Sequence, residues 1–293
     1  MCYATDAAPP LYGAPITTTT STRLLLTAAD GAPCAAFQSL PAEPGGPGVL
    51  VLPDNRGLFG FYEQLTVRLA EQGLPALAVD YFGRSAGPAY RDRPAEFAEL
   101  PNLMTHLRAL TRDGLYADFD AGIAQLRDPE GAACRQVISL GFCMGGRFAF
   151  QTAHRRFGLA GAIGLYGFPD ELNGAPGPIQ LAPELTAPVL GLFAGADEGI
   201  PATMVAAFDD ALAAAGNRRE IFTYPGATHG FFEAGAASSA EQCADVWRRV
   251  LAFAHELRAT EEWGSASRAD GSRLAALSSL FERASRTVDA EHR

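Results

Sequence analysis

The sequence predicts an α/β fold, a mostly parallel, doubly wound sheet flanked by helices. Three observations predict it. Short runs of β-branched and aliphatic residues alternate with stretches of helical periodicity over more than two hundred residues. Glycines punctuate the alternation, Gly73 as a stop after one helical run and Gly141 and Gly145 where a strand turns sharply into a helix. With 293 residues and 48% apolar composition, the chain is long enough and apolar enough to close around one large core.

Residues 1–22, rich in Pro, Thr and Ala and ending in TTTTST, read as an irregular, loosely attached arm. From Arg23 the strand-like runs RLLLT, CAAFQSL and GVLVLP succeed one another. In FYEQLTVRLAEQG, Phe61, Leu65 and Leu69 recur every four residues, and Gly73 supplies a left-handed stop before the strand PALAVDYF. The unit repeats. Phe119, Ile123 and Leu126 line a helix that precedes the strand QVISL, and a further helix after GFCMGG leads to the strand LAGAIGLYG. Then come the strand PVLGLF, a helix bearing Met204, Phe208 and Leu212, and the strand REIFTYP. A helix with Cys243, Trp247, Val250 and Ala254 on one face closes the series. Repeated strand–helix–strand units are joined right-handedly into a parallel sheet. The domain so defined runs over 23–259.

Two stretches break the rhythm. Residues 83–115, with Arg84, Arg91, Arg93, Arg108 and His106, lie where an insertion would overhang the carboxyl ends of the strands, the end at which such sheets bind ligands. Residues 260–293 form a largely polar extension in which Leu274, Leu277 and Phe281 recur at helical spacing.

Composition excludes several chemistries. The chain has no lysine, so its 23 positive charges are all arginine, and a Schiff base or a lysine-bearing phosphate loop has no amine to use. A net charge of −10 argues against nucleic acid and against an anionic membrane surface as partners. Five widely spaced cysteines and no signal-like or membrane-spanning apolar run point to a cytoplasmic protein without a disulfide framework. No paired-cysteine or HExxH spacing supports a metal.

The chemistry centres on GFCMGG. A G-x-nucleophile-x-G sequence between strand and helix makes a sharp, strained turn that lifts the nucleophile above the sheet, near the amino end of the helix. Gly141 and Gly145 meet that need around Cys143. Against this stands the simpler reading of Cys143 as one more buried small hydrophobe. The order of two residues further along the chain favours catalysis. Asp197 comes just past PVLGLF and His229 just past REIFTYP, giving nucleophile, acid and base in the order this architecture uses. Glu198 is the second candidate for the acid. The main-chain N–H of Met144, after the nucleophile, and one from LPDNRGLFG, at Asn55, are the expected oxyanion donors.

With these motifs, GFCMGG, GADEGIP and GATHGF, the chain resembles the dienelactone hydrolase family of α/β-hydrolases from about Arg23 to His255. The resemblance implies an α/β-hydrolase fold, no cofactor, a small-molecule lactone or ester as substrate, and hydrolysis of an enol-lactone or activated ester through a thioester. It also implies that Asp54, where the family has a glutamate beside the resting thiol, helps activate the nucleophile. By the same likeness Arg84, in VDYFGR, holds a substrate carboxylate. The chain departs from the family at Asp54, one methylene shorter, and at Glu233, where lactone hydrolases carry a second carboxylate-binding arginine. A general carboxylesterase or thioesterase, or a ligand-binding protein without turnover, are the competing readings.

Overall fold

The structure, a computed structural model, describes residues 3–4, 6–235 and 239–257. It divides into Met1–Ala254 and a second unit, His255–Arg293, of which 255–257 are described. The polar extension over 260–293, with Leu274, Leu277 and Phe281, lies outside the described residues.

The first unit is built on one eight-stranded sheet: β1 (Thr19–Thr27), β2 (Pro33–Pro41), β3 (Gly48–Leu52), β4 (Ala76–Val79), β5 (Val137–Phe142), β6 (Gly161–Leu165), β7 (Val189–Ala194) and β8 (Arg219–Tyr224). Their order in the sheet is β1-β2-β4-β3-β5-β6-β7-β8. β1 pairs antiparallel with β2, and β2 antiparallel with β4, while every remaining pair is parallel. Strands β3 to β7 are buried along their whole length, as expected of parallel strands covered by helices on both faces. β1, at one edge, is mostly exposed and alternates in burial.

The covering helices are α1 (Gly60–Glu71), α2 (Gly83–Ala86), α3 (Pro94–Ala98), α4 (Leu100–Ala109), α5 (Arg112–Arg127), α6 (Met144–Thr152), α7 (Pro178–Leu181) and α8 (Ala202–Ala214), and residues 240–254 form a last helix, α9. The faces expected from periodicity are buried: Phe61, Leu65 and Leu69 on α1, Phe119, Ile123 and Leu126 on α5, Phe208 and Leu212 on α8, and Cys243, Trp247, Val250 and Ala254 on α9. Met204 is only partly buried. Gly73, at φ 78°, ends the α1 turn as predicted. The α5 amino end is capped by Thr111, whose Oγ1 accepts the Gly114 N–H at 3.2 Å.

The insertion over 83–115 holds α2, α3, α4 and the start of α5. It is tied to the end of β4 by a buried bidentate ion pair, Arg93 Nη1 and Nη2 to Asp80 Oδ1 and Oδ2 at 3.0 and 2.6 Å.

The amino-terminal arm departs from expectation. It is docked, not loose: Tyr3, Ala7, Pro9 and Pro10 are buried. Main-chain bonds run from Ala234 N–H to Ala8 O and from Ile16 N–H to Glu71 O, each 2.9 Å, and Gln72 Nε2 donates to Ala14 O at 3.1 Å. The sheet also begins at Thr19, inside the span read as irregular. Apolar contacts and main-chain bonds to distant segments fix this strap, and neither leaves a periodic trace in sequence.

Candidate active site

Every candidate catalytic residue comes after a strand, at the carboxyl edge of the sheet. Asn55 lies past β3, Cys143 past β5, Asp197 past β7 and His229 past β8.

Cys143 sits between β5 and α6 at φ 55° and ψ −115°, a backbone conformation that costs a non-glycine residue about 1–3 kcal/mol. Its N–H donates to Leu165 O at 3.0 Å and its carbonyl accepts from Arg147 N at 3.0 Å, so β6 and the first turn of α6 hold the strained residue in place. The flanking glycines are steric necessities. A Cβ on Gly141 would lie 1.9 Å from Gly145 O, and one on Gly145 would lie 2.1 Å from both Leu52 O and Pro53 O. The two ends of the turn therefore touch each other and the end of β3. Cys143 is partly exposed, whereas Cys34, Cys134 and Cys243 are buried.

His229 Nδ1 lies 2.6 Å from Asp197 Oδ2. The other carboxylate oxygen of Asp197 accepts the Gly199 N–H at 3.0 Å, and Ala196 N–H donates to Ala227 O at 2.8 Å, which joins the acid loop to the histidine loop. Asp197 is buried and Glu198 exposed, so the geometry selects the first of the two candidate acids. Burial acts to lower the His229 pKa, but its hydrogen bond and charge interaction with Cys143, with those from Asp197, push it up to about 9. The carboxylate of Asp197 is thus paired with an imidazole that also interacts with Cys143.

The loop after β3 is held by buried tyrosines. Asp54 N–H donates to Tyr62 Oη at 2.8 Å, and Tyr81 Oη donates to the carbonyls of Pro53 (2.5 Å) and Asp54. Asp54 is fully buried, with Oδ1 accepting the Arg56 N–H at 3.0 Å and Arg56 Nη2 3.9 Å from Oδ2. Burial raises its pKa to about 7. The Arg56 N–H and guanidinium oppose the rise and the neighbouring Cys143 adds to it. The main-chain N–H groups of Met144 and Asn55 have no acceptor among the described residues. These are the two donors the sequence nominates for an oxyanion.

Arg84 is brought elsewhere. Its Nε and Nη2 contact Asp118 at 3.0 and 2.9 Å, and its Nη1 contacts Asp30 at 2.5 Å, so two carboxylates already neutralise the cation. Glu233 is half-buried beside Pro10, Leu11 and Tyr12 of the strap. His106 is engaged inside the insertion, with Nδ1 3.0 Å from Ser85 Oγ and Nε2 3.2 Å from Glu96.

With this geometry in view, comparison with known proteins decides the relationship. The model of the dienelactone hydrolase family matches residues 34–257. The chain belongs to the dienelactone hydrolase family. Membership makes it a carboxylic ester hydrolase with the α/β-hydrolase fold. Among relatives of this family, a protein of Escherichia coli (strain K12) named "Putative carboxymethylenebutenolidase" is 31% identical over 223 residues, covering 74% of this chain and 80% of that protein. One of the same name in Salmonella typhi is 32% identical over 212 residues, covering 70% and 75%. The crystal structure of a "Putative Dienelactone Hydrolase" from Klebsiella pneumoniae superposes with a TM-score of 0.70 at 28% identity, over 80% of this chain and 98% of that one.

Sequence reasoning did not single out Tyr166. It lies just past β6 at φ 37°, is fully buried, and packs its ring 5.0 Å from that of His229. Its only signal was its position after a central strand, which LYG shares with many strand ends.

Among the described residues no helix is long and apolar enough to cross a membrane, and no group of three His, Cys, Asp or Glu is placed to hold a metal ion.

Proposed function

We propose that this family member hydrolyses enol-lactones or activated carboxylic esters by acyl transfer to Cys143, with His229 as base and Asp197 as its steering carboxylate. The observation that carries this reading is the continuous chain from the partly exposed thiol at a strained turn, through His229, to buried Asp197.

In this mechanism the thiol proton passes to His229, and the sulfur attacks the substrate carbonyl carbon. The carbonyl π pair moves onto oxygen, which the N–H groups of Met144 and Asn55 stabilise. Collapse of the tetrahedral intermediate re-forms the carbonyl, breaks the bond to the ester oxygen and leaves a thioester. Because thiolate is itself a good leaving group, forward collapse favours enolates and phenolates over simple alkoxides. His229 returns its proton to the departing oxygen, or to the carbon of a departing enolate, which gives the ketone. Now neutral, it takes a proton from water, which attacks the thioester and releases the acid and the thiolate. Asp54, buried beside the thiol with a raised pKa, holds a proton near the ionising sulfur in place of a second full negative charge. Arg84 has no substrate role in this reading, because Asp30 and Asp118 already bind its guanidinium.

One observation favours a broader carboxylesterase or thioesterase within the same chemistry. Arg84 is ion-paired, and Glu233 stands where lactone hydrolases of the family are expected to have arginine, so a second substrate carboxylate has no free cation at either position. The test is a panel of enol-lactones, phenyl esters, alkyl esters and thioesters, run before and after iodoacetamide. Turnover lost in step with labelling at Cys143 supports the proposal; undiminished turnover by fully labelled protein contradicts it.

A further inference from the structure

The amino-terminal strap reaches the site. Tyr3 is 3% exposed, although it lies at the end of an arm whose sequence carries no packing signal. Its main chain and both ends of its side chain are engaged. The Tyr3 carbonyl accepts from Arg56 Nη2, which belongs to the loop that carries Asp54 and Asn55. Its ring stacks on Phe61 of α1 at 4.1 Å between centroids, 17° from parallel. Its hydroxyl is hydrogen-bonded to that of Tyr166, whose ring packs against His229. Tyr3 therefore spans from the oxyanion loop on one side to the neighbour of the catalytic histidine on the other.

Two features separate this from ordinary surface packing. Tyr166 holds a left-handed backbone conformation that a bulky side chain rarely adopts, and that conformation places its hydroxyl against Tyr3 and its ring against His229. The strap is also pinned well behind its tip, by the main-chain bonds at Ala8 and Ile16 and by Tyr12 Oη donating to Ala240 O at 2.7 Å. An arm fastened along its length presents a fixed wall, not a tail that samples solvent.

We propose that Tyr3 is a specificity-determining residue. It closes the side of the site between the Asp54–Arg56 loop and Tyr166, and so limits the bulk of the group that reaches Cys143. The proposal rests on the thiol chemistry proposed above for its effect on turnover, but its steric content can be read without turnover.

The experiment uses the full chain and the variants Tyr3→Ala, Tyr3→Phe and Tyr3→Leu. Two ratios are measured. One is kcat/KM for a bulky acyl phenyl ester over that for phenyl acetate. The other is the rate of Cys143 alkylation by N-phenylmaleimide over that by iodoacetamide, located by peptide mass spectrometry. Tyr3→Ala raises both ratios on the order of tenfold, the scale of pocket-volume effects. Tyr3→Phe keeps the ring and stays near wild type. Tyr3→Leu, which preserves apolar packing on Phe61, shifts in the same direction as alanine and stands in for it should Tyr3→Ala fail to fold. An alkylation ratio unchanged in Tyr3→Ala or Tyr3→Leu overturns the wall, as does a Tyr3→Phe shift as large as that of alanine. A protein that shows the alkylation shift but turns over no ester refutes the acyl-transfer reading and leaves the wall standing.

Discussion

Nδ1 of His229 and Oδ2 of Asp197 lie 2.6 Å apart, and the second oxygen of that carboxylate is held by the Gly199 N–H. The carboxylate therefore cannot swing without losing a main-chain bond. In the proposed mechanism it fixes the imidazole with Nδ1 protonated and leaves Nε2 for the thiol. Asp197→Asn, which keeps the shape but can present an N–H to Nδ1, is expected to lower kcat about 10²–10⁴-fold, with a far smaller change in Tm. A kcat within about threefold of wild type would remove Asp197 from the chain of proton control.

Burial acts to lower the His229 pKa, but interactions with Cys143 and Asp197 push it up to about 9, and the proposed mechanism places a thiolate beside that imidazolium, the two titrating as a pair. Iodoacetamide alkylation of Cys143 should already be near its plateau at pH 7. In His229→Gln the rate should fall at pH 7 and rise with a midpoint near about 8.5, that of an ordinary thiol. Because the folded pKa lies above the ordinary histidine value of 6.5, the pairing supports the fold below that value and its contribution disappears as pH rises through about 9. His229 is about one-third exposed, so solvent screening keeps the stability effect small; the alkylation profile is the sharper readout.

Asp54 gives a dependence of the same sign in a lower pH window. Its folded pKa is raised from 3.8 to about 7, so between about pH 4 and 7 the native state binds more protons than the unfolded chain, and stability falls as pH rises through that window. Asp54→Asn removes this contribution. The Tm of the variant relative to wild type should become more favourable from pH 5 to pH 8, by on the order of 5 °C for a domain of this size. A difference that stays flat across that range would mean Asp54 is ionised throughout.

Much of the fold was legible because its signals are local and repeated. The apolar faces of α1, α5 and α9 recur at helical spacing, and β3 to β7 are continuous apolar runs of the kind that double-sided burial demands. The elbow was legible for a steric reason, since no side chain fits at Gly141 or Gly145. Three features were not. Pairing of Arg84 with Asp30 and Asp118 joins residues 54 and 34 positions apart. Docking of Tyr3 depends on Phe61, Arg56 and Tyr166, which come together only after the sheet forms. The strained backbone of Tyr166 is imposed by its neighbours, and its own side chain does not announce it.

Trapping of the acyl-enzyme tests the central claim most directly. Protein mixed with a phenyl ester and quenched in acid within its first turnovers should carry one acyl group, cleaved by neutral hydroxylamine and located on Cys143, and Cys143→Ala should show neither adduct nor turnover. An acyl group on any other residue, or turnover that survives in Cys143→Ala, would contradict the account.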